Sequence, residues 1–175
     1  MGQDKSRLIV DGSTLAVRTA ALLKLVVETA IEVGPGVSGL PSTREQPPGE
    51  GPLAAIAEGW RTLRARGHTG SALVIACDLP LLSEQLLRFL VEWESPGSVV
   101  PMVRGRAQPL CAKWGRQDLD DAGQLFSDGA RSLHHLITGP DVVLLDESAW
   151  QQVASEEQFS DVDSPADLHR LGLTS

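Results

Sequence analysis

Residues 71–77 (Ser-Ala-Leu-Val-Ile-Ala-Cys) constrain the chain more than any other segment. After Ser71 the run is apolar without alternation, so as a strand it must be covered on both faces, which is the habit of a central parallel strand. It ends abruptly at Asp78-Leu79-Pro80, and Pro80 cannot donate to a ladder. A strand covered on both sides needs two flanking layers, and the rest of the sequence supplies segments for them. Helical spacing is expected at residues 14–23, at 52–66 with Leu53, Ile56, Trp60 and Leu63 on one stripe, after Ser83 with Leu86, Leu87, Phe89, Leu90 and Trp93, at 119–126 and at 132–137. Short strands are expected at 8–10, in the second half of 25–33, at 98–102 and 109–114 around Arg104-Gly105-Arg106, and at 142–145. Ser164-Pro165-Ala166-Asp167 is a helix start, with a capping Ser, Pro in the first turn and a carboxylate facing the helix dipole. Strand and helix alternate, which predicts an α/β fold: a three-layer α/β/α arrangement about a mainly parallel sheet, with ligands gathered at the carboxyl ends of the strands.

The chain's 175 residues suit one domain, and 42% hydrophobic with 22% charged residues is ordinary for a folded protein. The segment 34–52 is dense in Pro and Gly but short, so it reads as a surface loop and not a linker. A net charge of -8 argues against a nucleic-acid-binding surface, which needs clustered Lys and Arg. Cys77 and Cys111 are the only cysteines, too few for a disulfide framework or a zinc site. Residues 1–20 carry no signal-peptide pattern, and no apolar run approaches the roughly 20 residues that span a bilayer. The expectation is a cytoplasmic protein without a membrane or nucleic-acid partner.

Several residues could carry chemistry. Asp78 stands where such a fold collects its site, and a carboxylate there is a hard ligand for Mg²⁺; capping a turn near Leu81 is the competing role. Lys5, after a polar Gly-containing segment, can meet a phosphate as a point charge or simply be solvated. Asp161 and Asp163 flank Val162, so on extended backbone they point the same way, either toward a second metal contact or only enriching a helix start. Gly51-Pro52-Leu53 opens a helix after the loop and allows a ligand close to the backbone. Arg104 and Arg106 could meet a phosphate or pterin, or be a solvated hairpin tip. His134 and His135 are adjacent and diverge by about 100° on a helix, a poor pair of metal ligands. Both cysteines read as buried small apolar residues.

Met1-Gly2-Gln3-Asp4-Lys5, Gly51-Pro52-Leu53-Ala54, Cys77-Asp78-Leu79-Pro80, Gln108-Pro109-Leu110 and Asp161-Val162-Asp163-Ser164-Pro165-Ala166-Asp167-Leu168 occur in one order along the chain. In that order they resemble the molybdenum cofactor guanylyltransferases, nucleotidyltransferases with a dinucleotide-binding-like fold. The resemblance spans essentially the whole chain. It implies transfer of GMP from GTP to molybdopterin with release of pyrophosphate, dependent on Mg²⁺; the related alternatives are CTP, another phosphorylated acceptor, or a catalytically silent domain that binds a cofactor or partner. It implies catalytic roles for Lys5 and Asp78, nucleotide contacts from Gly2, Lys5, Glu45, Gly51, Pro52, Leu53 and Asp78, and metal ligation by Asp78 and Asp163. GTP and molybdopterin are the implied partners, with molybdoenzymes or other cofactor-biosynthesis proteins beside them. The family carries an apolar strand and a loop of the form L-A-G-G-x-S-x-R before M-G-x-D-K. This sequence starts at that Met, so the expectation is an N-terminally incomplete domain with a mobile or displaced N-terminus, a gap in the middle of its sheet and weak GTP binding.

Overall fold

The computed structural model describes residues 5–173. Lys5–Arg7 form a 3-10 turn, followed by a minimal hairpin of β1 (Ile9–Val10) and β2 (Ser13–Thr14). Asp11 and Gly12 both adopt positive φ at its tip, as so tight a turn requires. Helix α1 (Leu15–Val26) starts one residue later than the sequence suggested: the Thr14 hydroxyl accepts from Val17 N and caps it. β3 (Glu32–Val33) and β4 (Ser42–Thr43) pair in parallel, and the second of these lies inside the segment read as loop. Next come α2 (Pro52–Ala65), β5 (Ala72–Ile75) and α3 (Glu84–Glu92). They are followed by β6 (Ser98–Val103), β7 (Arg106–Ala107), β8 (Cys111–Trp114), α4 (Arg116–Ser127), α5 (His134–Ile137), β9 (Val142–Leu145), α6 (Glu147–Trp150) and α7 (Pro165–Arg170).

The sheet corrects one expectation. β5 pairs antiparallel with β8, β6 pairs antiparallel with both β7 and β8, and only β9 joins β6 in parallel, so the main sheet is antiparallel, not mainly parallel. The reason is the turn at Arg104-Gly105, which folds residues 98–114 back on themselves and inserts the return strand next to β5. Among the described residues β5 is therefore at the end of the strand order and half-buried, not flanked on both edges. A run apolar on both faces fixes coverage by layers above and below; it says nothing about what pairs along the edges.

Strand alternation divides the core. Val99 and Cys111 join Leu86, Leu90, Leu145 and Trp150 in one cluster, while their neighbours Val100 and Ala112 join Leu53, Ile56, Trp60 and Leu119 in another. The first cluster takes its helical residues from α3 and α6, the second from α2, α4 and α5. Ser83 caps α3 by accepting from Leu86 N at 3.2 Å, and Leu86, Leu87 and Leu90 of that helix are fully buried. Each contributes about 1.5–3 kcal/mol by burial.

A third, smaller cluster decides where the site forms. Val10, Leu15, Val162 and Leu168 are at most 1% exposed and pack together. They clamp the start of the described chain onto the segment preceding α7.

Candidate functional site

Asp78 follows β5 by three residues and is half-buried. Its carbonyl oxygen accepts from Val162 N at 2.9 Å, which holds residues 161–163 beside it. Val162 is inward and fully buried while Asp161 and Asp163 are exposed, the alternation expected of an extended segment. Lys5 is fixed from the other side. Leu8 N donates to the Lys5 carbonyl at 3.0 Å, Leu15 N donates to the Leu8 carbonyl at 2.9 Å, and Val10 and Leu15 are buried in the small cluster.

The result is a three-residue cluster. Lys5 Nζ donates to Asp78 Oδ2 at 3.1 Å and pairs also with Asp163 Oδ1. The expected displacement of the N-terminus does not extend to Lys5, because the clamp of Val10 and Leu15 on Val162 and Leu168 holds it in place. Gly2 lies outside the described residues. The hydrogen bond from Lys5 to Asp163 raises the lysine's pKa well above its ordinary value; partial burial opposes this, and Asp78 adds to it. Two carboxylates against one ammonium leave the cluster net negative.

The cluster borders a cavity of about 370 Å³. Asp78, Cys77 and Ser6 line it, together with β5, Thr19 of α1, Trp60 of α2 and Glu32 of β3. Glu32 was not singled out from the sequence. Its carboxylate accepts from Gly36 N at 2.6 Å, Val37 N at 3.2 Å and Ser38 N at 2.8 Å, and so ties down the loop along one side of the cavity. Burial opposes ionisation of Glu32, but the bonds from Ser38, Val37 and Gly36 together hold its pKa below the usual value. The signal was present as Gly-Pro-Gly two residues after the strand's Glu, a turn whose successive N–H groups need an acceptor.

The other expected residues are dispersed. Pro52 lines the cavity, but Leu53 is fully buried among Ile56, Trp60 and Trp114 and takes a packing role. Gly51 is the N-cap of α2 at φ 96, a conformation that favours glycine. Glu45 accepts from Gly49 N at 3.1 Å and lines a separate groove with Glu58, Arg61 and Asp120. Arg104 is engaged at the hairpin tip, its side chain with Glu156 and its backbone N–H with Glu147. Burial pushes the Cys111 thiol up to about 12, so it is not a nucleophile. His134 and His135 are exposed.

The donor set fits a divalent cation of the Mg²⁺ type. Asp78 Oδ2 and Asp163 Oδ1 meet a single ammonium, so they lie within about 6 Å of one another. Their side chains are 20% and 65% exposed, which leaves room for water and for oxygens of a substrate. Among the described residues no group of three or more His, Cys, Asp or Glu is arranged to hold a metal. One or two carboxylates completed by water and phosphate is the way Mg²⁺ is ordinarily held.

The sequence profile of the MobA-like NTP transferase domain matches residues 1–140. The chain belongs to this family. Curated relatives agree with it. The chain is 29% identical over 181 residues to the probable molybdenum cofactor guanylyltransferase of Chloroflexus aggregans, covering 95% of this chain and 85% of that one. It is 30% identical over 149 residues to the protein of the same name from Bacillus anthracis, covering 78% and 72%. Among solved structures, molybdopterin-guanine dinucleotide biosynthesis protein A from Archaeoglobus fulgidus superposes with a TM-score of 0.76 at 18% identity, over 97% of this chain and 89% of that one. A nucleotidyl transferase from Methanothermobacter gives 0.71 at 19% identity over 95% and 82%. At such identities the two structures bear on the fold, which is the α/β nucleotidyltransferase fold. This MobA-like chain is a nucleotidyltransferase similar to the molybdenum cofactor guanylyltransferases.

Proposed function

We propose that this MobA-like chain transfers GMP from GTP to the terminal phosphate of molybdopterin and releases pyrophosphate. The supporting observation is the meeting of Lys5, Asp78 and Asp163 beside the cavity in a chain of this family. Mg²⁺, held by Asp78 and Asp163, would neutralise charge on the phosphates. Lys5 supplies a positive charge for the triphosphate and the leaving pyrophosphate. The acceptor phosphate is already ionised at neutral pH, so no side chain has to remove a proton. The resemblance adds Gly2, Glu45, Gly51 and Pro52 as nucleotide contacts; of these Pro52 lines the cavity and Glu45 a separate groove.

The same reading takes the sheet as the middle of a three-layer dinucleotide-binding-like fold. It places the reaction in the cytoplasm; among the described residues no helix is long and apolar enough to cross a membrane.

The test is product analysis with GTP or CTP and molybdopterin as acceptor, in Mg²⁺ and in chelator, on a protein extended upstream by the family's strand and loop. Guanine dinucleotide and pyrophosphate should form with GTP and Mg²⁺. Asp78→Ala should lower the rate more than tenfold, about 1.4 kcal/mol in the barrier, with the circular dichroism spectrum unchanged. A preference for CTP would move the assignment to cytidylyl transfer. An Asp78→Ala rate within tenfold of the parent would remove Asp78 from the chemistry.

A further inference from the structure

We infer that Lys5 is a placeholder cation: without nucleotide its ammonium occupies the position between Asp78 and Asp163, and a divalent metal binds there only by displacing it. This rests on the reading of Asp78 and Asp163 as metal ligands. The geometry carries it. One Nζ bonds carboxylates of residues 78 and 163, brought together by the Val162–Asp78 backbone hydrogen bond. The ammonium satisfies two converging carboxylates that would otherwise repel each other, so the pair is held ready in the absence of metal. The same contact sets a competition, because an oxygen facing an ammonium cannot simultaneously face a cation at bonding distance without the ammonium giving way.

The Lys5 side chain is 39% exposed, and among the described residues its head group is bonded to the two carboxylates alone, so it can swing out on its flexible stem. Expulsion frees a positive charge beside the metal, where phosphate oxygens would arrive. Metal entry and the arming of Lys5 are then one exchange: the free protein binds metal weakly, and metal accompanied by a triphosphate binds well because the displaced ammonium gains a new anionic partner. Nucleotide and metal thereby raise each other's affinity.

The experiment measures Mn²⁺ binding by electron paramagnetic resonance, without nucleotide, on the full chain and on Lys5→Met and Asp78→Asn variants, each first checked for fold by circular dichroism. Lys5→Met should bind Mn²⁺ at least tenfold more tightly than the parent. A second readout separates displacement from a general loss of positive charge: acylation of Lys5 by an amine-reactive ester, followed by peptide mass spectrometry. Mg²⁺ should increase labelling of Lys5 several-fold while leaving Lys24 unchanged, because a head group released from two carboxylates is open to the ester. Equal or weaker Mn²⁺ binding by Lys5→Met, or labelling of Lys5 insensitive to Mg²⁺, overturns the placeholder role while leaving the carboxylates as ligands. Mn²⁺ binding by Asp78→Asn equal to that of the parent overturns the metal-site reading itself, and the placeholder role falls with it.

Discussion

Gly97 shows how a single missing methyl governs packing in this fold. A Cβ placed there would meet the Asp141 carbonyl oxygen at 2.0 Å, a backbone atom with nowhere to go. Gly115 presses from the other side, where a Cβ would lie 2.9 Å from the Gly97 carbonyl carbon. This close approach lets Ser98 reach inward: its buried hydroxyl donates to Asp118 and accepts from Gly115 N at 2.8 Å, fixing the start of α4 on the start of β6. Gly97→Ala should therefore destabilise the protein by about 2–4 kcal/mol, read as a lower urea midpoint with an unchanged slope. A loss below about 0.5 kcal/mol would show that the Asp141 segment yields freely. At the same scale, Asp78 and Lys5 were legible as candidates because each motif marks a position along the chain. Their meeting was implied by the family resemblance and not by the separate motifs, since it depends on Val10, Leu15, Val162 and Leu168 packing across almost the whole sequence.

Elements with local signals were legible, and those made by the return of a loop were not. The starts of α3 and α7 follow from Ser83 and Ser164, whose hydroxyls accept from Leu86 N and Asp167 N as their positions demand. β4 was hidden among prolines and glycines, because its stability comes from two partners distant in sequence. It pairs with β3, and Thr43 donates its hydroxyl to Glu58 of α2. Glu58 is also bonded by Arg61 at 2.8 Å and by Thr62 at 3.3 Å. Arg61 is the chief cause of the carboxyl's depressed pKa of about 2; burial opposes it, and Thr43 and Thr62 assist. A folded pKa below the unfolded one stabilises the protein above the unfolded value and is lost as pH falls. The contribution of Glu58 should be complete above about pH 4.5 and fade toward pH 2. With solvent screening at exposed Arg61, it should amount to about 1–2 kcal/mol. Urea unfolding of Glu58→Gln against the parent should show that difference at pH 7 and a shrinking one at pH 3. A difference independent of pH would assign the effect to packing.

At the scale of the molecule, the antiparallel hairpin and the cavity have one common consequence: among the described residues β5 has a paired edge and an open one. Ala76 N donates to the Leu110 carbonyl at 2.7 Å, and the register with β8 pairs Ala72 with Trp114 and Val74 with Ala112. By alternation, the N–H and C=O groups of Leu73 and Ile75 point the other way, along the wall of the cavity. Edge groups beside an apolar space are costly without partners, and a further strand of the kind that precedes M-G-x-D-K in the family would pair with them. Such a strand would carry the Gly-rich loop toward Lys5 and Asp78, where its successive N–H groups could cradle a triphosphate. Extending the chain upstream with residues of the form L-A-G-G-x-S-x-R and an apolar strand should therefore raise GTP affinity at least tenfold, about 1.4 kcal/mol, in calorimetric titrations of both chains with Mg²⁺ present. The extended chain should also protect the Leu73 and Ile75 amides from hydrogen exchange. Protection without a gain in affinity would mean that the strand completes the sheet while the phosphates are held by Lys5 and metal alone. Equal affinities with no protection would mean that the open edge of β5 is not where the added segment docks.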